Sequence, residues 1–436
     1  MMEGAIISWL SAGVPLLGAV LSLAVWSKPD RLKVSAILVS LVSLGANVGL
    51  GGSLTTPPEG MLLLYLLPLA ACVSLLGQPV HSDHRPSWLM TLLFLGLGLG
   101  VLTNHNVVGQ SFLLVLLGSL IALLFRHHTA LWPISWRGIG TYGVGALCVG
   151  VSVITGPPIS AVASLLTCAI LLPLVPFHEG HVTALTRLPG GLPSFIVLLF
   201  PALGVHGLTT VVAAVPEVAA RTVSLFALAG SLYGAIKALA QSRVRLLLAY
   251  SSLSFFSILW WFVAAARTPM PRVAVFVGAV GLVTSGLLVA WQVIRTRYGD
   301  DVDPQAISGL AFTMPRYAVL LSLLALAAMG LPPFGVFAGF MGLLLTSSLT
   351  PSVGLFVTLV AWLTASWYIM QMVQQLLFGV RRPDLRYTDL LRTEFASLMM
   401  VILVLLALGG ASSNLWGLER TAPPTSANVE ALTWNK

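Results

Sequence analysis

The stretch Ala169-Ile-Leu-Leu-Pro-Leu-Val-Pro-Phe-His-Glu-Gly-His181 is an apolar run that two prolines interrupt just before a group of ionisable side chains. A second apolar run contains Gly330-Leu-Pro-Pro-Phe-Gly335, in which two prolines stand side by side. Proline removes a backbone hydrogen-bond donor and its ring clashes with the preceding helical turn, so both runs predict broken helices. At membrane depth, such a break is tolerated only where protein or a water-filled cavity covers the exposed backbone. The prolines that we expect to break the helices are Pro173, Pro176, Pro332 and Pro333.

The composition of the whole chain is typical of a membrane protein. Of the 436 residues, 57% are apolar and only 8% are charged, and the mean hydropathy is +0.95. Soluble domains carry about 25% charged residues, so soluble enzymes, nucleic-acid-binding proteins and disordered tails are excluded as classes. The net charge of +8 comes from basic residues in short gaps between apolar runs, which is typical of topology signals. The cysteines lie inside apolar runs and are expected to be small buried thiols: Cys72, Cys148 and Cys168.

Apolar runs long enough to cross a bilayer can be counted between the charged or proline-rich gaps, because one crossing needs about 20 residues. We expect fourteen, near residues 5–26, 33–54, 61–77, 87–103, 106–125, 138–154, 159–178, 190–214, 222–241, 246–266, 273–294, 317–347, 353–378 and 395–414. The predicted fold class is therefore an all-α polytopic membrane protein with about fourteen transmembrane helices, of which the seventh and the twelfth are broken.

The distribution of Lys and Arg predicts the direction of these spans. With the N-terminus outside, the inner loops hold sixteen of the 22 basic residues, including Lys28, Arg31 and Lys33 in the first inner loop. The outer segments hold five, and Lys237 is left as the one basic residue within a span. Because Lys and Arg are enriched in cytoplasmic loops, we expect a multi-pass inner-membrane protein with both termini on the outer, periplasmic side.

The two broken spans lie five spans apart, and an odd offset gives the two five-span units opposite orientations. Inverted repeats of this kind are typical of transporters. We therefore expect four parts: three N-terminal helices over residues 1–86, a first five-helix repeat over 87–214, a second five-helix repeat over 215–378, and a C-terminal helix with an outer tail over 379–436.

The segment from Leu232 to Ser254, which reads LYGAIKALAQSRVRLLLAYSSLS, carries a resemblance to a known family. It resembles the segment between the ninth and tenth spans of the antiporter-like membrane subunits of respiratory complex I, the M, N and L chains of NADH-quinone oxidoreductase. The same family includes subunits of Mrp-type cation/proton antiporters and of membrane-bound hydrogenases. Three further stretches are similar to the family in the right order, and together the matches cover roughly residues 100–380. These stretches are Val175–His178, Gly309–Arg316 and Gly330–Phe340.

The resemblance implies a proton path made of buried ionisable residues, with a glutamate on the fifth span and lysines on the seventh, eighth and eleventh or twelfth spans. Ionisable residues are costly in a bilayer and are normally present there for function. In this chain, none of the positions that match the family's path holds an ionisable residue. The matching positions are Leu116 or Leu117, Leu171, Ala202, Thr284 and the vicinity of Met341. The resemblance therefore implies the fold, but these substitutions argue against proton pumping along the family's path.

Five other ionisable residues remain as candidates for a proton path. Lys237 is either a relocated proton site or a side chain that snorkels towards the inner headgroups. His178, Glu179 and His181 follow the first break, where they could relay protons or cap the break structurally. His206 on the eighth span is either a titratable relay or a core histidine with one hydrogen bond.

The other polar groups predict no cofactor and no metal. The spacing His-Glu-Gly-His lacks the four-residue separation of the zinc signature HExxH. Two groups in the loops are expected to be solvated, and two charged groups are expected to face lipid headgroups or a soluble partner. The solvated groups are His81, Asp83 and His84, and then His127 and His128. The charged groups are Asp300, Asp301 and Asp303, and then the arginines from Arg381 to Arg392.

Three functions remain open from the sequence. The first is an antiporter-like, proton-conducting subunit of a complex I-like assembly, which has no redox site of its own. The second is a non-conducting membrane anchor for partner subunits, favoured by the missing ionisable residues. The third is a coupling subunit of an inorganic-carbon or cation transporter. The expected partners are other membrane subunits, a cytosolic peripheral subunit and lipid; quinone is expected only through partner subunits, and nucleic acid is not expected.

Overall fold

The computed structural model describes residues 2–50, 58–104, 107–126, 135–212, 215–266, 272–299, 307–346, 353–379 and 388–410. Within these ranges, all regular secondary structure is helical. Several charged residues singled out in the sequence lie outside the described residues. These are His127, His128, Asp300, Asp301, Asp303, Arg381, Arg382 and Arg386.

Seventeen α-helices follow one another along the described chain. The first six are α1 (Met2–Leu23), α2 (Pro29–Leu50), α3 (Pro58–Leu76), α4 (Arg85–Thr103), α5 (Val107–Arg126) and α6 (Trp136–Ile154). The next six are α7 (Ile159–Leu171), α8 (Glu179–Arg187), α9 (Leu192–Val211), α10 (Glu217–Leu239), α11 (Val244–Ala266) and α12 (Val273–Tyr298). The last five are α13 (Leu310–Thr313), α14 (Pro315–Ala328), α15 (Gly335–Thr346), α16 (Val353–Leu377) and α17 (Arg392–Gly410).

The helices confirm the predicted all-α membrane architecture. In the described ranges, ten helices are long and apolar enough to cross a membrane, and several shorter apolar helices accompany them. The helix α7 is followed by the short helix α8, and α14 is followed by α15. If each of these two pairs counts as one broken helix and the short α13 is set aside, the helices correspond one to one to the fourteen predicted spans.

Both breaks lie where the prolines predict them. The gap between α7 and α8 contains Pro173 and Pro176, and the gap between α14 and α15 contains Pro332 and Pro333. A helix that stops inside the bundle leaves carbonyl groups without intrahelical donors. The structure has to satisfy those carbonyls with other groups, because an unsatisfied polar group in an apolar surrounding is costly.

A tryptophan from a neighbouring helix supplies the missing donor at each break. The indole nitrogen of Trp260 on α11 donates to the carbonyl of Leu172, directly after α7, at 2.9 Å. The indole nitrogen of Trp362 on α16 donates to the carbonyl of Met329, directly after α14, at 3.1 Å. At both breaks, an indole N–H from another helix therefore donates to a carbonyl that the interrupted helix leaves without a donor.

The core of the bundle is centred on α12, whose most apolar stretch is completely buried. Helices α3, α9, α11, α14, α15 and α17 all pack against it. Close approach of the first break to α9 depends on a glycine, because a Cβ at Gly204 would lie 2.7 Å from the backbone nitrogen of Leu172. By contrast, α2, α6, α10 and α16 leave most of their apolar surface on the outside of the bundle, where lipid or partner subunits can cover it.

The structure corrects the position of one basic residue. We expected Lys33 in the first inner loop, but it lies in the second turn of α2 and is only 5% exposed. The local sequence explains the difference, because Pro29 occupies the first helical position and Asp30 lies in the first turn, both of which favour a helix start at this point. The helix therefore begins four residues before the start of the predicted span.

Candidate functional site

The first break carries a group of titratable side chains that we call the break cluster. Its members come from the break itself and from α8, α10 and α11. They are His178, Glu179, His181, Tyr233, Lys237 and Tyr250. The structure thus brings four of the five predicted proton-path candidates to one region of the bundle and adds two tyrosines that the sequence analysis did not single out.

His178 lies at the centre of the break cluster. The residue is only 7% exposed, and its ring centroid lies 5.2 Å from the ring centroid of Tyr233 and 6.4 Å from that of Tyr250. The two tyrosine rings lie 6.1 Å apart at nearly a right angle. Among the described residues, neither ring nitrogen of His178 makes a hydrogen bond of ordinary geometry, and the ring interacts with the backbone of Pro176. A buried imidazole without a well-formed hydrogen bond is unusual in a protein interior and has capacity for a further ligand or for water.

His181 is held by one hydrogen bond that fixes its tautomer. Its Nε2 lies 2.8 Å from the hydroxyl of Ser252 on α11. That hydroxyl donates its only proton to the carbonyl of Ala249, so it accepts from the histidine. Nε2 therefore carries the proton, and Nδ1 is left as a buried acceptor without a partner among the described residues.

Lys237 occupies the edge of the break cluster. It lies in the last turn of α10, its side chain is exposed, and its Nζ is 5.8 Å from the ring centroid of Tyr233. A cation in this position interacts favourably both with the aromatic ring and with the C-terminal end of the helix dipole. Glu179 begins α8 and is half-buried.

The break cluster lies close to one end of the bundle. Tyr233 is six residues before the end of α10, and Tyr250 is six residues after the start of α11, which places both about 9 Å from the α10 to α11 connection. The half-exposed tyrosines and the exposed Lys237 lead from buried His178 towards that end. The arrangement places titratable side chains between buried His178 and this end of the bundle.

His206 does not share the surface that faces the break. A Cβ at Gly204 would touch Leu172, and a Cβ at Gly207 would lie 2.9 Å from the sulfur of Cys168, so these two glycines mark the side of α9 that contacts α7. Position 206 is about 200° around the helix from position 204. His206 is buried, but on another face of α9.

The positions that match the family's proton path lie in the apolar core. Leu116, Leu117, Leu171 and Ala202 are at most 2% exposed and belong to one continuous hydrophobic cluster. Thr284 is also buried, but its hydroxyl donates to the carbonyl of Val280 in its own helix. The described side chains therefore surround these positions with hydrocarbon rather than with polar partners.

A second polar group, which the sequence analysis missed, lies at the same end of the bundle as the break cluster. We call it the end cluster, and it consists of Lys33, Gln78, Arg245, Gln292 and Arg295. The ammonium of Lys33 donates to the carbonyls of Gln78 and Leu76 at the C-terminal end of α3. This is the negative end of the α3 dipole, so it stabilises a buried cation. The helix start at Pro29 was the signal that could have placed Lys33 inside the bundle.

Arginine and glutamine side chains complete the end cluster. Arg245 at the start of α11 donates to the carbonyl of Thr186 at 3.1 Å and to Oε1 of Gln292 at 3.3 Å. Arg295 also donates to Oε1 of Gln292, at 3.2 Å. The amide of Gln292 thereby joins two arginines, and the end of α8 is tied to α11 and α12.

A buried ion pair connects α12 to the last helix. Arg297 donates both terminal nitrogens to the two carboxylate oxygens of Glu394, at 2.7 and 3.2 Å. The same carboxylate accepts from the backbone nitrogen of Leu391 and so caps the start of α17. The two charged side chains are 9% and 2% exposed, and such a pair tolerates burial because its hydrogen bonds are well satisfied.

The polar loop before α4 and the rest of the described chain offer no metal centre. Among the described residues, no three His, Cys, Asp or Glu side chains are grouped to hold a metal ion. His81 and Asp83 form an exposed pair at 3.3 Å, and burial lowers the pKa of neighbouring His84. Lowering the pKa of His84 favours its neutral form near pH 7.

Comparisons with known proteins agree with this architecture. Residues 151–367 match the family model described as NADH:quinone oxidoreductase/Mrp antiporter, transmembrane. A curated relative, NADH-quinone oxidoreductase subunit N 2 of Solibacter usitatus, is 23% identical over 395 residues, which is 80% of this chain and 78% of the relative.

Solved structures show the same fold at low sequence identity. A chain of respiratory complex I from Thermus thermophilus superposes with a TM-score of 0.77 at 20% identity, covering 94% of this chain and 98% of that chain. A chain of the Mrp complex from a Dietzia species also gives a TM-score of 0.77, at 18% identity, covering 96% of both chains. The described helices, the two proline breaks and the family match lead to one conclusion. The chain belongs to the family of antiporter-like membrane subunits found in complex I and in Mrp antiporters.

Proposed function

We propose that this chain is an antiporter-like subunit that assembles with other membrane subunits in a complex I-like or Mrp-type assembly, and that it acts there as a non-conducting scaffold. The observation that carries the proposal is the burial of Leu116, Leu117, Leu171 and Ala202 in the hydrophobic core. A proton needs water or titratable groups at every step, and a path lined by hydrocarbon side chains is a steep barrier to a charge.

The assembly part of the proposal is supported by the relatives. The curated relative is by name a subunit, and the solved neighbours are chains of complexes. The broad apolar outer faces of α6, α10 and α16 are available to neighbouring membrane subunits. A cytosolic peripheral subunit is part of the proposal as a further partner. We further propose the four-part division at residues 86, 214 and 378, with both termini on the outer side of the membrane.

A mild-detergent purification of the tagged chain from its native membrane tests the assembly. Co-purification of other antiporter-like subunits, or of flavin or iron–sulfur subunits, is expected and would place the chain in a complex I-like assembly. Purification of the chain alone would contradict the proposal. Co-purification with only a soluble zinc protein would instead support the coupling role in inorganic-carbon transport.

A proton-flux measurement on the purified complex in liposomes tests the scaffold role. We expect His178→Gln and Lys237→Ala to leave the proton flux unchanged, because in this proposal no proton path runs through the chain. The control variant Lys28→Ala is expected to give the same flux. Lys28 is an exposed lysine before α2 and lies outside the break cluster. If either test variant reduces the flux while the complex stays assembled, the scaffold role is wrong.

One observation favours a second candidate function, conduction through the break cluster. Neither nitrogen of buried His178 makes a well-formed hydrogen bond among the described residues, and two tyrosines and Lys237 lie between this ring and one end of the bundle. If this path conducts, both His178→Gln and Tyr233→Phe are expected to reduce the flux, because each removes a group that can exchange a proton. His206→Ala, on another face of α9, should then have no effect.

A further inference from the structure

A small cavity lies between α3, α9, α11 and α12, within the end cluster. Its polar lining includes Ser74, Gln78, Ser194, Arg245 and Gln292, and its volume is that of about one water molecule. The cavity is not part of the break cluster, and none of its lining residues matches the family's proton path.

Gln78 lines this cavity and carries a polar atom that requires a donor. Gln78 is only 1% exposed, and its Oε1 has no hydrogen-bond partner among the described residues. The orientation of the amide is fixed, because Nε2 donates to the carbonyl of Ser74 at 3.0 Å, and a flipped amide would place two oxygens against each other. Leaving a buried carbonyl oxygen unsatisfied costs free energy, so a donor that fits the cavity would bind there.

We propose that an ordered water molecule occupies this cavity, donating a hydrogen bond to Oε1 of Gln78 and accepting one from the guanidinium of Arg245. The chemistry of the lining selects water over an ion. The unsatisfied Gln78 oxygen would repel an anion, and the arginine would repel a cation. A water molecule fits both groups because it is neutral and both donates and accepts.

The water links helices that are distant in the sequence. Gln78 follows α3, and Arg245 begins α11 and donates to Thr186 in the last turn of α8. The bridge therefore connects the N-terminal helices to α11 and, through Thr186, to the short helix whose first residues belong to the break cluster. Its function is to position the end of α8 relative to the three N-terminal helices.

A cryo-electron microscopy map of the assembled protein, at a resolution where ordered waters are visible, tests the proposal. The expected result is one peak of water-like density at about 2.6–3.2 Å from Gln78 Oε1 and from a nitrogen of Arg245. An empty cavity between well-ordered Gln78 and Arg245 side chains would overturn the proposal. Density that requires a heavier ion would overturn it as well.

Two variants identify the partner of the water. Gln78→Met keeps the length of the side chain but removes the acceptor, and the peak should disappear from its map. Ser285→Ala removes a buried hydroxyl on α12 that does not line the cavity, and the peak should persist. Persistence of the peak in Gln78→Met would exclude Gln78 as the anchor. If Gln78→Met does not assemble, the map of the unmodified protein decides the question by itself.

Discussion

The tryptophan at the first break predicts a measurable stability effect. Trp260→Phe removes the indole donor of the 2.9 Å hydrogen bond and leaves the carbonyl of Leu172 buried without a partner. An unsatisfied buried carbonyl costs about 1–3 kcal/mol. The smaller phenyl ring also leaves a cavity, because Trp260 is only 1% exposed. The total loss contains both terms, so a second tryptophan is needed to separate them.

Trp88 on α4 provides the matched control. It is fully buried, but its indole nitrogen has no hydrogen-bond partner among the described residues. Trp88→Phe therefore creates a comparable cavity without breaking a hydrogen bond. We expect the loss of unfolding free energy for Trp260→Phe to exceed that for Trp88→Phe by at least about 1 kcal/mol, because Trp260→Phe leaves the Leu172 carbonyl unsatisfied whereas Trp88→Phe removes an indole donor that has no partner among the described residues.

The assay is SDS-induced unfolding in mixed micelles, followed by far-ultraviolet circular dichroism. A local readout is maleimide labelling of Cys168, which lies one turn before Leu172 and is almost completely buried. Labelling should accelerate in Trp260→Phe and remain unchanged in Trp88→Phe. Equal losses of unfolding free energy in the two variants, within about 0.5 kcal/mol, would refute the role of the indole at the break.

Three further predictions concern contacts that only the folded chain contains. Gly204→Ala should destabilise the protein by about 1–3 kcal/mol in the same unfolding assay, because the new methyl group would press on the backbone of Leu172. Glu394→Gln should cost about 3–5 kcal/mol, because it leaves the charge of Arg297 buried without a counter-charge. Ser252→Ala should cost about 1–3 kcal/mol in unfolding free energy, because the Nε2 proton of His181 loses its acceptor.

Each of these variants has a control elsewhere in the chain. Gly140→Ala meets open space within 4 Å and should be neutral or slightly stabilising. Glu217→Gln breaks an exposed ion pair with Arg221 and should change the stability by less than about 1 kcal/mol. Ser257→Ala removes a buried hydroxyl without a partner among the described residues, so it should not destabilise. If a control variant loses as much unfolding free energy as its test variant, the contribution assigned to that contact is wrong.

Part of the candidate site could be predicted from the sequence. The broken helix and the adjacent His178, Glu179 and His181 are neighbours in the chain, so their proximity required no knowledge of packing. Tyr233 and Tyr250 were not predicted, because their role depends on how α10 and α11 lie against the break. His206 was included because of its position within a span, but the direction in which its side chain points follows from the packing of α7 and α9.

The sequence by itself determined the membrane class, the succession of helices and the location of both breaks. These features depend on local physics: about 20 apolar residues cross a bilayer, and proline prevents a backbone hydrogen bond wherever it stands. Only the tertiary structure decided which residue supplies the hydrogen-bond partner of each buried polar group. Trp260 and Leu172 are 88 residues apart, and Arg297 and Glu394 are 97 residues apart. Such partners are selected by the packing of helices, because a buried polar group needs a partner in space and a helical pattern does not specify which residue will supply it.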